Sequence, residues 1–249
     1  MNELQNYFEN NENRLIHKWL HYFEVYERYL SRFRGKKINI LEIGVSQGGS
    51  LQMWRNYFGA EARIFGIDIN PECRTLEEEN IKIFIGSQSD RNFLRNIREE
   101  IGKVDILIDD GGHTMKQQIV SFEELFSIVK EDGVYICEDC HTSYWIKFGG
   151  GHRRMGTFIE FAKKKIDQLN AWHSHESSLS VDEFTKTAKS IHFYDSMVII
   201  EKGIVEKPSH RKTGNYSFAV DPERNGFKTK LLYYLNYLLR IFKLPSLGF

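Results

Sequence analysis

The chain has 249 residues, enough for one α/β domain with appended elements and a sizeable hydrophobic core. Lysine plus arginine equal aspartate plus glutamate at 34 each, so the charge balance excludes no fold but provides no case for a nucleic-acid partner. A small or weakly charged substrate is the better expectation.

The first predicted element is an aromatic, amphipathic helix over residues 14–33. Trp19, Phe23 and Tyr26 recur there at helical spacing. The residues before it are polar and acidic without an apolar run, so we expect no signal peptide. We therefore assign residues 1–35 to an N-terminal helical segment.

Strands and helices then alternate through a predicted Rossmann-like domain over residues 36–205. This alternation with short loops predicts an α/β fold with a doubly wound, mostly parallel sheet. Asp195-Ser196 predicts a turn, so the sheet is expected to end in a C-terminal antiparallel hairpin strand. We expect Ser50 to cap the first helix and Thr114 and Gln117 to form a capping box. The predicted strands are 38–43, 63–68, 81–85, 104–109, 133–138, 191–194 and 197–201, and the predicted helices 50–58, 71–79, 90–101, 115–130 and 157–172.

The loop after the first strand fits three known motifs. Residues 44–48, GVSQG, match the G-x-S-x-G elbow of hydrolases and resemble a dinucleotide fingerprint with Ser46 in place of its second glycine. With Glu42 they also fit the E-x-G-x-x-x-G loop of methyltransferases. The hydrolase elbow follows several earlier strands, which are absent here. In dinucleotide-binding loops, the second glycine allows the backbone to approach the pyrophosphate of the ligand closely. S-adenosylmethionine has no phosphate and tolerates Ser46, so the sequence favours the methyltransferase loop.

Polar residues near the ends of the first three strands predict a nucleoside site. Glu42 lies inside an apolar strand and needs a partner, for which the ammonium group of S-adenosylmethionine is suitable. Asp68 ends the second strand, where a carboxylate accepts ribose hydroxyls, although it is also placed to cap the next helix. The segment after the third strand contacts adenine in methyltransferases, but Asp90 there equally fits a helix cap. The predicted cofactor-binding residues are Glu42, Gly44, Gly48, Asp68, Ser87, Gln88 and Asp109.

Acidic residues and histidines follow the fourth and fifth strands, in DDGGH at 109–113 and EDCHT at 138–142. Neighbouring parallel strands end at one edge of a sheet, so these side chains should converge. Asp110, Glu138 and Asp139 would repel one another unless neutralised, and a hard divalent cation such as Mg²⁺ suits an all-oxygen set. An acceptor hydroxyl on that ion becomes more acidic, and His113 is predicted to be the general base. The alternative is that these residues cap helices or are solvated charges in the loops, without binding a metal.

Two other metal chemistries involve the same region. Cys137-x-x-Cys140 resembles a zinc or redox pair, but it has no second pair to complete it. With Cys73 these make only three cysteines, which predicts a reducing, cytoplasmic setting. A non-haem iron oxygenase would need two histidines and a carboxylate, which His113, His141 and Asp110 supply. A non-catalytic, cofactor-binding partner subunit is the third alternative.

Four runs of the chain resemble one family of enzymes. LEIGVSQGGSLQMW, FGIDINP, IDDGGHTMKQQ and ICEDCHTSYW are similar to the metal-dependent macrocin and mycinamicin sugar O-methyltransferases and the cephalosporin hydroxylase-type proteins, over roughly residues 15–205. The resemblance implies a class I S-adenosylmethionine-dependent fold and a sugar or glycan hydroxyl as acceptor, as in polysaccharide or natural-product biosynthesis. It implies Mg²⁺ at Asp110, Glu138 and Asp139, His113 as base, and cofactor contacts from Glu42, Gly44 and Asp68.

Two further segments have open interpretations. Residues 140–156 combine aromatics with Gly149–Gly151, which fits either a lid or sugar platform or ordinary packing. In the C-terminal extension, 206–249, residues 228–243 predict an apolar helix with cationic flanks, too short to span a bilayer. It suits a subunit contact in a homo-oligomer or, alternatively, the surface of the inner membrane face.

Overall fold

The computed structural model describes residues 2–218 and 227–247 of the chain. A seven-stranded sheet in the order β3-β2-β1-β4-β5-β7-β6 organises them. Strands β1 to β5 run parallel, and the β6–β7 hairpin joins β5 through antiparallel pairing of β7. This confirms the predicted Rossmann-like fold. The strands are β1 (Asn39–Ile43), β2 (Arg63–Asp68), β3 (Ile81–Ile85), β4 (Val104–Asp109), β5 (Val129–Cys137), β6 (Ala188–Tyr194) and β7 (Met197–Lys202).

Apolar cores cover both faces of the sheet. Ile40 and Leu41 of β1 alternate between the two faces, and both are completely buried. β1 lies inside the sheet, between β2 and β4, which explains why its sequence after Asn39 is apolar except for Glu42. Because these strands run parallel, the loops after β1, β2, β4 and β5 lie at the same end of the sheet.

Eight α-helices occur in the described residues. Thr114 and Gln117 form the predicted capping box, and Asp90 caps its helix through two backbone amides. The prediction that Ser50 is a cap was wrong: the N-cap is Gly48, whose φ is +77°, and Ser50 lies one residue inside the helix. The helices are α1 (Glu3–Glu9), α2 (Tyr22–Leu30), α3 (Gly49–Phe58), α4 (Arg91–Ile101), α5 (Met115–Leu125), α6 (Phe158–Leu169), α7 (Glu183–Thr187) and α8 (Phe227–Ile241).

Three predicted helices are shorter than expected. The helix predicted over 14–33 begins only at Tyr22, and residues 15–19 have no regular structure. The helix predicted over 71–79 is a 3₁₀ helix at Pro71–Leu76. The helix predicted over 115–130 ends at Leu125, because Val129 already pairs with β4 as the start of β5. Pairing with the sheet outweighs local helix preference at that end.

The described residues fall into two compact units, one ending at Lys207 and the other beginning at Pro208. The second unit contains α8, and the Asn236 side chain there both donates to and accepts from the backbone of Leu247. Among the described residues, no helix combines the length and apolar character that a bilayer crossing requires. The predicted boundaries at residues 35 and 205 stay predictions.

Candidate active site

A cavity of about 380 Å³ opens at the edge of the sheet where the parallel strands end. This volume falls within the usual range for small-molecule sites. Residues 15–18, from the irregular segment before α2, form part of its lining. Seven of the predicted site residues also line it, namely Gly44, Asp68, Ser87, Gln88, Asp110, His113 and Asp139.

The glycine loop is tied to the ends of β2 and β4. Gly44 has φ +96°, and a Cβ there would lie 2.0 Å from the carbonyl oxygen of Asp110, so only glycine permits this approach. The Asp68 carboxylate accepts hydrogen bonds from the amides of Val45 and Ser46, both at 2.9 Å. Asp68 therefore holds the loop in shape, and it remains at the cavity wall.

Glu42 is completely buried behind the glycine loop and is not part of the cavity wall. Ser50 donates a hydrogen bond to its Oε2 at 2.8 Å, so the Ser50 hydroxyl bonds Glu42 and not the start of α3. Its Oε1 has no hydrogen-bond partner. Burial raises the pKa of Glu42 to about 7, against the opposing attraction of the Lys18 ammonium.

Gln88 connects the segment after β3 to the loop after β4. Its Nε2 donates to Asp109 at 3.0 Å and to Ser121 at 3.1 Å, and its Oε1 accepts from the Gly112 amide at 2.7 Å. Asp109 is buried away from the cavity wall, and burial raises its pKa to about 7. The side chains of Gln88 and Asp109 thus support the DDGGH loop, while their predicted cofactor contacts stay predictions.

Asp110, His113 and Asp139 converge beside the cavity. They offer one ligand atom each, and these atoms lie within 4.8 Å of one another. His113 Nε2 is 3.5 Å from Asp139 Oδ2 and 4.0 Å from Asp110 Oδ1, and its Nδ1 has no hydrogen-bond partner. Two carboxylates and an imidazole at this spacing fit a divalent cation.

The backbone at this cluster is conformationally restricted. His113 has φ +56° and Asp139 has φ +52°, in the left-handed region that non-glycine residues seldom adopt. Ser46, across the cavity, has φ +50°. Three such residues around one cavity indicate that the surrounding fold holds these side chains in place at the expense of local backbone preference.

Glu138 lies deeper than the other acidic residues and is completely buried. Its Oε1 accepts a hydrogen bond from the Tyr26 hydroxyl at 2.6 Å, and its Oε2 accepts one from Lys18 at 2.9 Å. Burial raises the pKa of Glu138 to about 8, although the Lys18 charge opposes this shift. Glu138 is therefore beside the cluster but bonded to Lys18 and Tyr26, and its role as a metal ligand stays a prediction.

Lys18 is the functional residue that the sequence analysis missed. Its Nζ is 2.5 Å from Asp110 Oδ2, 2.9 Å from Glu138 Oε2 and 3.7 Å from Glu42 Oε1. Burial disfavours the ammonium form, but the attraction of these carboxylates outweighs it and holds the pKa of Lys18 well above its ordinary value. The only sequence signal for such a residue is that clustered carboxylates need a counter-cation, and a metal ion satisfies this need equally well.

The other residues of the alternative chemistries, His141, Cys137 and Cys140, lie outside this cluster, whereas the His113 and Asp110 of the iron site belong to it. His141 Nδ1 is 2.5 Å from the Ser196 hydroxyl and 4.0 Å from Asp139 Oδ1. Cys137 and Cys140 are free and buried, and burial raises the pKa of the Cys137 thiol well above its ordinary value. A neutral, buried thiol is a poor metal ligand or redox nucleophile. This arrangement disfavours both a zinc pair and an iron site that needs His141.

No family model matches the chain. Curated relatives do match it, and their names describe methylation of sugars on natural products. The tetracenomycin-C rhamnosyl 3'-O-methyltransferase of Streptomyces olivaceus is 36% identical over 197 residues, or 74% of this chain and 50% of that protein. Demethylmacrocin O-methyltransferase of Streptomyces fradiae is 33% identical over 204 residues, 76% and 51% respectively. The chain is homologous to the macrocin- and mycinamicin-type sugar O-methyltransferases. The predicted resemblance is thereby confirmed.

A solved homologue agrees with this relationship. The MycE methyltransferase of the mycinamycin pathway, in complex with Mg, SAH and mycinamycin VI, superposes with a TM-score of 0.71 at 30% identity. The match covers 81% of this chain and 53% of MycE. The chain thus spans about half the length of the sugar O-methyltransferases that it matches.

Proposed function

We propose that this chain is an S-adenosylmethionine-dependent O-methyltransferase that methylates a hydroxyl of a sugar, glycan or natural-product precursor. The observation that carries the proposal is the convergence of Asp110, His113 and Asp139 beside the cavity of the glycine loop. The homology to sugar O-methyltransferases supports the same reaction.

The cavity fits the proposed cofactor in size and in chemistry. Glu42 Oε1 lacks a hydrogen-bond partner and is 3.7 Å from the Lys18 ammonium, so Glu42, which lies behind the cavity wall, would attract the ammonium group of the cofactor through its charge and not by direct contact. Asp68 is placed to bind the ribose hydroxyls with Oδ1, which already accepts from Asn70 at 2.9 Å. Gly44 and Gly48 are proposed as cofactor-binding residues of this loop: Gly44 lines the cavity, and Gly48 is the N-cap of α3. We propose Ser87, Gln88 and Asp109 as the remaining cofactor-binding residues, Gln88 and Asp109 acting by positioning the cavity wall.

Asp110 and Asp139 would hold the divalent cation, with Glu138 as the third carboxylate. When bound, Mg²⁺ acts as a Lewis acid that makes the acceptor hydroxyl easier to deprotonate. His113 accepts the hydroxyl proton, and the oxygen forms its bond to the cofactor's methyl carbon as the carbon–sulfur bond breaks. The sulfonium becomes a thioether, so no other reactant is needed. Positioning by the buried strand ends provides the rest of the rate acceleration.

Exposed aromatic rings beside the cluster are a suitable platform for the acceptor. The His141 ring packs edge-on against Trp145 and Trp19, with centroids at 4.6 and 5.8 Å. Both indoles are 51% exposed although they adjoin the acidic cluster. We propose that they contact the acceptor, because indole rings bind the apolar faces of sugars and aglycones.

Replacement of Trp145 by alanine should test the platform. We expect KM for the acceptor to rise about two- to tenfold, with a smaller change in kcat, since stacked contacts contribute roughly 0.5–1.5 kcal/mol. Steady-state kinetics at saturating cofactor measure both constants. Phe193→Ala removes another half-exposed ring, on β6 and away from the cavity wall, and should leave KM unchanged. Equal KM values for Trp145→Ala and the wild type would contradict the platform.

Metal removal should test the reaction itself. We expect EDTA to lower methyl transfer by on the order of 10²-fold or more, because Lewis-acid activation contributes several kcal/mol. Mg²⁺ should restore transfer and Fe²⁺ should not, as measured by release of S-adenosylhomocysteine with a panel of vicinal-diol glycosides. Recovery with Fe²⁺ and O₂, without S-adenosylhomocysteine, would instead support the oxygenase. Tight cofactor binding without turnover of any acceptor would support the non-catalytic subunit.

We further propose a cytoplasmic setting and a homo-oligomer. The free cysteines support the first, and the apolar side chains exposed on α8, such as Leu238 and Ile241, support a subunit contact through the C-terminal extension. Contact of this helix with the inner membrane face is the alternative. Sedimentation with and without residues 206–249, and with anionic vesicles, distinguishes the two.

A further inference from the structure

A buried lysine occupies the centre of the acidic group. The Lys18 side chain is 3% exposed, and lysines are seldom buried to this degree unless they are paired. Its ammonium bonds two of the three carboxylates proposed to hold the divalent cation, Asp110 and Glu138. A cation that belongs to the protein itself is therefore within bonding distance of the proposed metal ligands.

Both carboxylate oxygens of Glu138 already accept a hydrogen bond. Oε1 is engaged by Tyr26 and Oε2 by Lys18. Asp110 has one oxygen bonded to Lys18, whereas its Oδ1 faces His113. While Lys18 remains in place, the carboxylate oxygens open to a metal are therefore on Asp139 and at Oδ1 of Asp110, and a metal that binds Glu138 meets an oxygen already hydrogen-bonded to Lys18 or Tyr26.

Lys18 belongs to an irregular segment, whereas its neighbour Tyr26 belongs to a helix. Tyr26 is in the middle of α2, whereas residues 15–19 are irregular. Arg14 anchors one end through the carbonyl of Leu76 at 2.9 Å, and the Tyr22 amide bonds the Trp19 carbonyl at the other. Within the part of the chain that the structure describes, no hydrogen bond between backbone groups joins residues 15–18 to the sheet or helices.

We propose that Lys18 competes with the divalent cation for Asp110 and Glu138 and thereby sets the metal affinity of the site. This inference rests on the proposed metal-dependent function. Lys18 would leave Asp110 and Glu138 when these carboxylates hold the metal, and residues 15–19 would move with it. Because residues 15–18 line the cofactor cavity, loading of the metal would also change the wall of that cavity. Lys18 is thus a residue that determines metal affinity, separate from the groups that act on the acceptor.

Mn²⁺ binding to the full chain, measured by electron paramagnetic resonance, tests this role without relying on activity. Lys18→Met keeps the length and removes the charge, and we expect it to bind Mn²⁺ at least about tenfold more tightly than wild type. Lys18→Arg keeps the charge and should bind no more tightly than wild type. Lys163→Met, the same substitution at an exposed lysine on α6, should have no effect.

A measurement on the wild type alone covers the case in which Lys18→Met does not fold. Saturating Mn²⁺ should increase hydrogen exchange at residues 15–19 relative to the metal-free chain. Equal or weaker Mn²⁺ binding by Lys18→Met, or unchanged exchange in the wild type, would overturn the competition while leaving the proposed function intact. Absence of Mn²⁺ binding in both proteins would overturn the metal-dependent function and this inference with it.

Discussion

Replacing His113 with asparagine is expected to lower kcat for methyl transfer by about 10²–10⁴-fold, the range typical for loss of a general base. The imidazole lies beside Asp110 and Asp139, where an acceptor hydroxyl on the proposed cation would be. Asparagine suits the position because it tolerates the left-handed backbone of residue 113, whereas alanine would add strain. Single-turnover transfer of a labelled methyl group measures the chemical step.

Cofactor binding separates loss of the base from loss of the fold. Titration calorimetry with S-adenosylhomocysteine should give the same affinity for His113→Asn and wild type, because the proposed cofactor contacts come from other residues. His192→Asn is the matched control, since His192 lies on β6 and bonds Ser190 rather than the acidic cluster. A His113→Asn variant that retains most of its kcat would rule out His113 as the base.

Replacement of Gly44 by alanine is expected to destabilise the fold by roughly 3 kcal/mol or more, or to prevent folding. The new Cβ would meet the carbonyl oxygen of Asp110 at 2.0 Å and its carbonyl carbon at 2.7 Å. Both are backbone atoms of the neighbouring strand end, so no side-chain rotation relieves the clash. The φ of +96° adds conformational strain. Urea denaturation of the purified variant measures the change in free energy of unfolding.

A second glycine distinguishes the effect of backbone strain from the effect of the steric clash. Gly35 also has a positive φ, +65°, but a Cβ there meets no atom within 4 Å. Gly35→Ala should therefore cost only about 1 kcal/mol from backbone strain. The difference between the two variants isolates the contact between the glycine loop and the end of β4. Similar losses for both would show that the loop can move away from Asp110, and that this contact does not restrict residue 44.

The sequence by itself determined the sheet and the place of the site. Strands at 63–68, 81–85 and 104–109 agree with the structure to the residue, because short apolar runs bounded by polar residues have few other ways to be buried. Parallel strand ends necessarily share an edge of the sheet. The meeting of Asp110, His113 and Asp139 therefore followed from the order of the motifs along the chain.

The tertiary structure alone decided how the buried charges are paired. Lys18 bonds residues 92 and 120 positions away, and no local pattern contains such a pairing. Helical spacing predicted that residues 14–33 form one helix, yet residues 15–19 are irregular there. Local periodicity shows which face of a segment is apolar. Which carboxylates a buried ammonium contacts depends instead on the positions that the whole fold gives to distant residues. A helix preference amounts to only a few tenths of a kcal/mol per residue, so contacts with the rest of the fold decide the conformation of this segment.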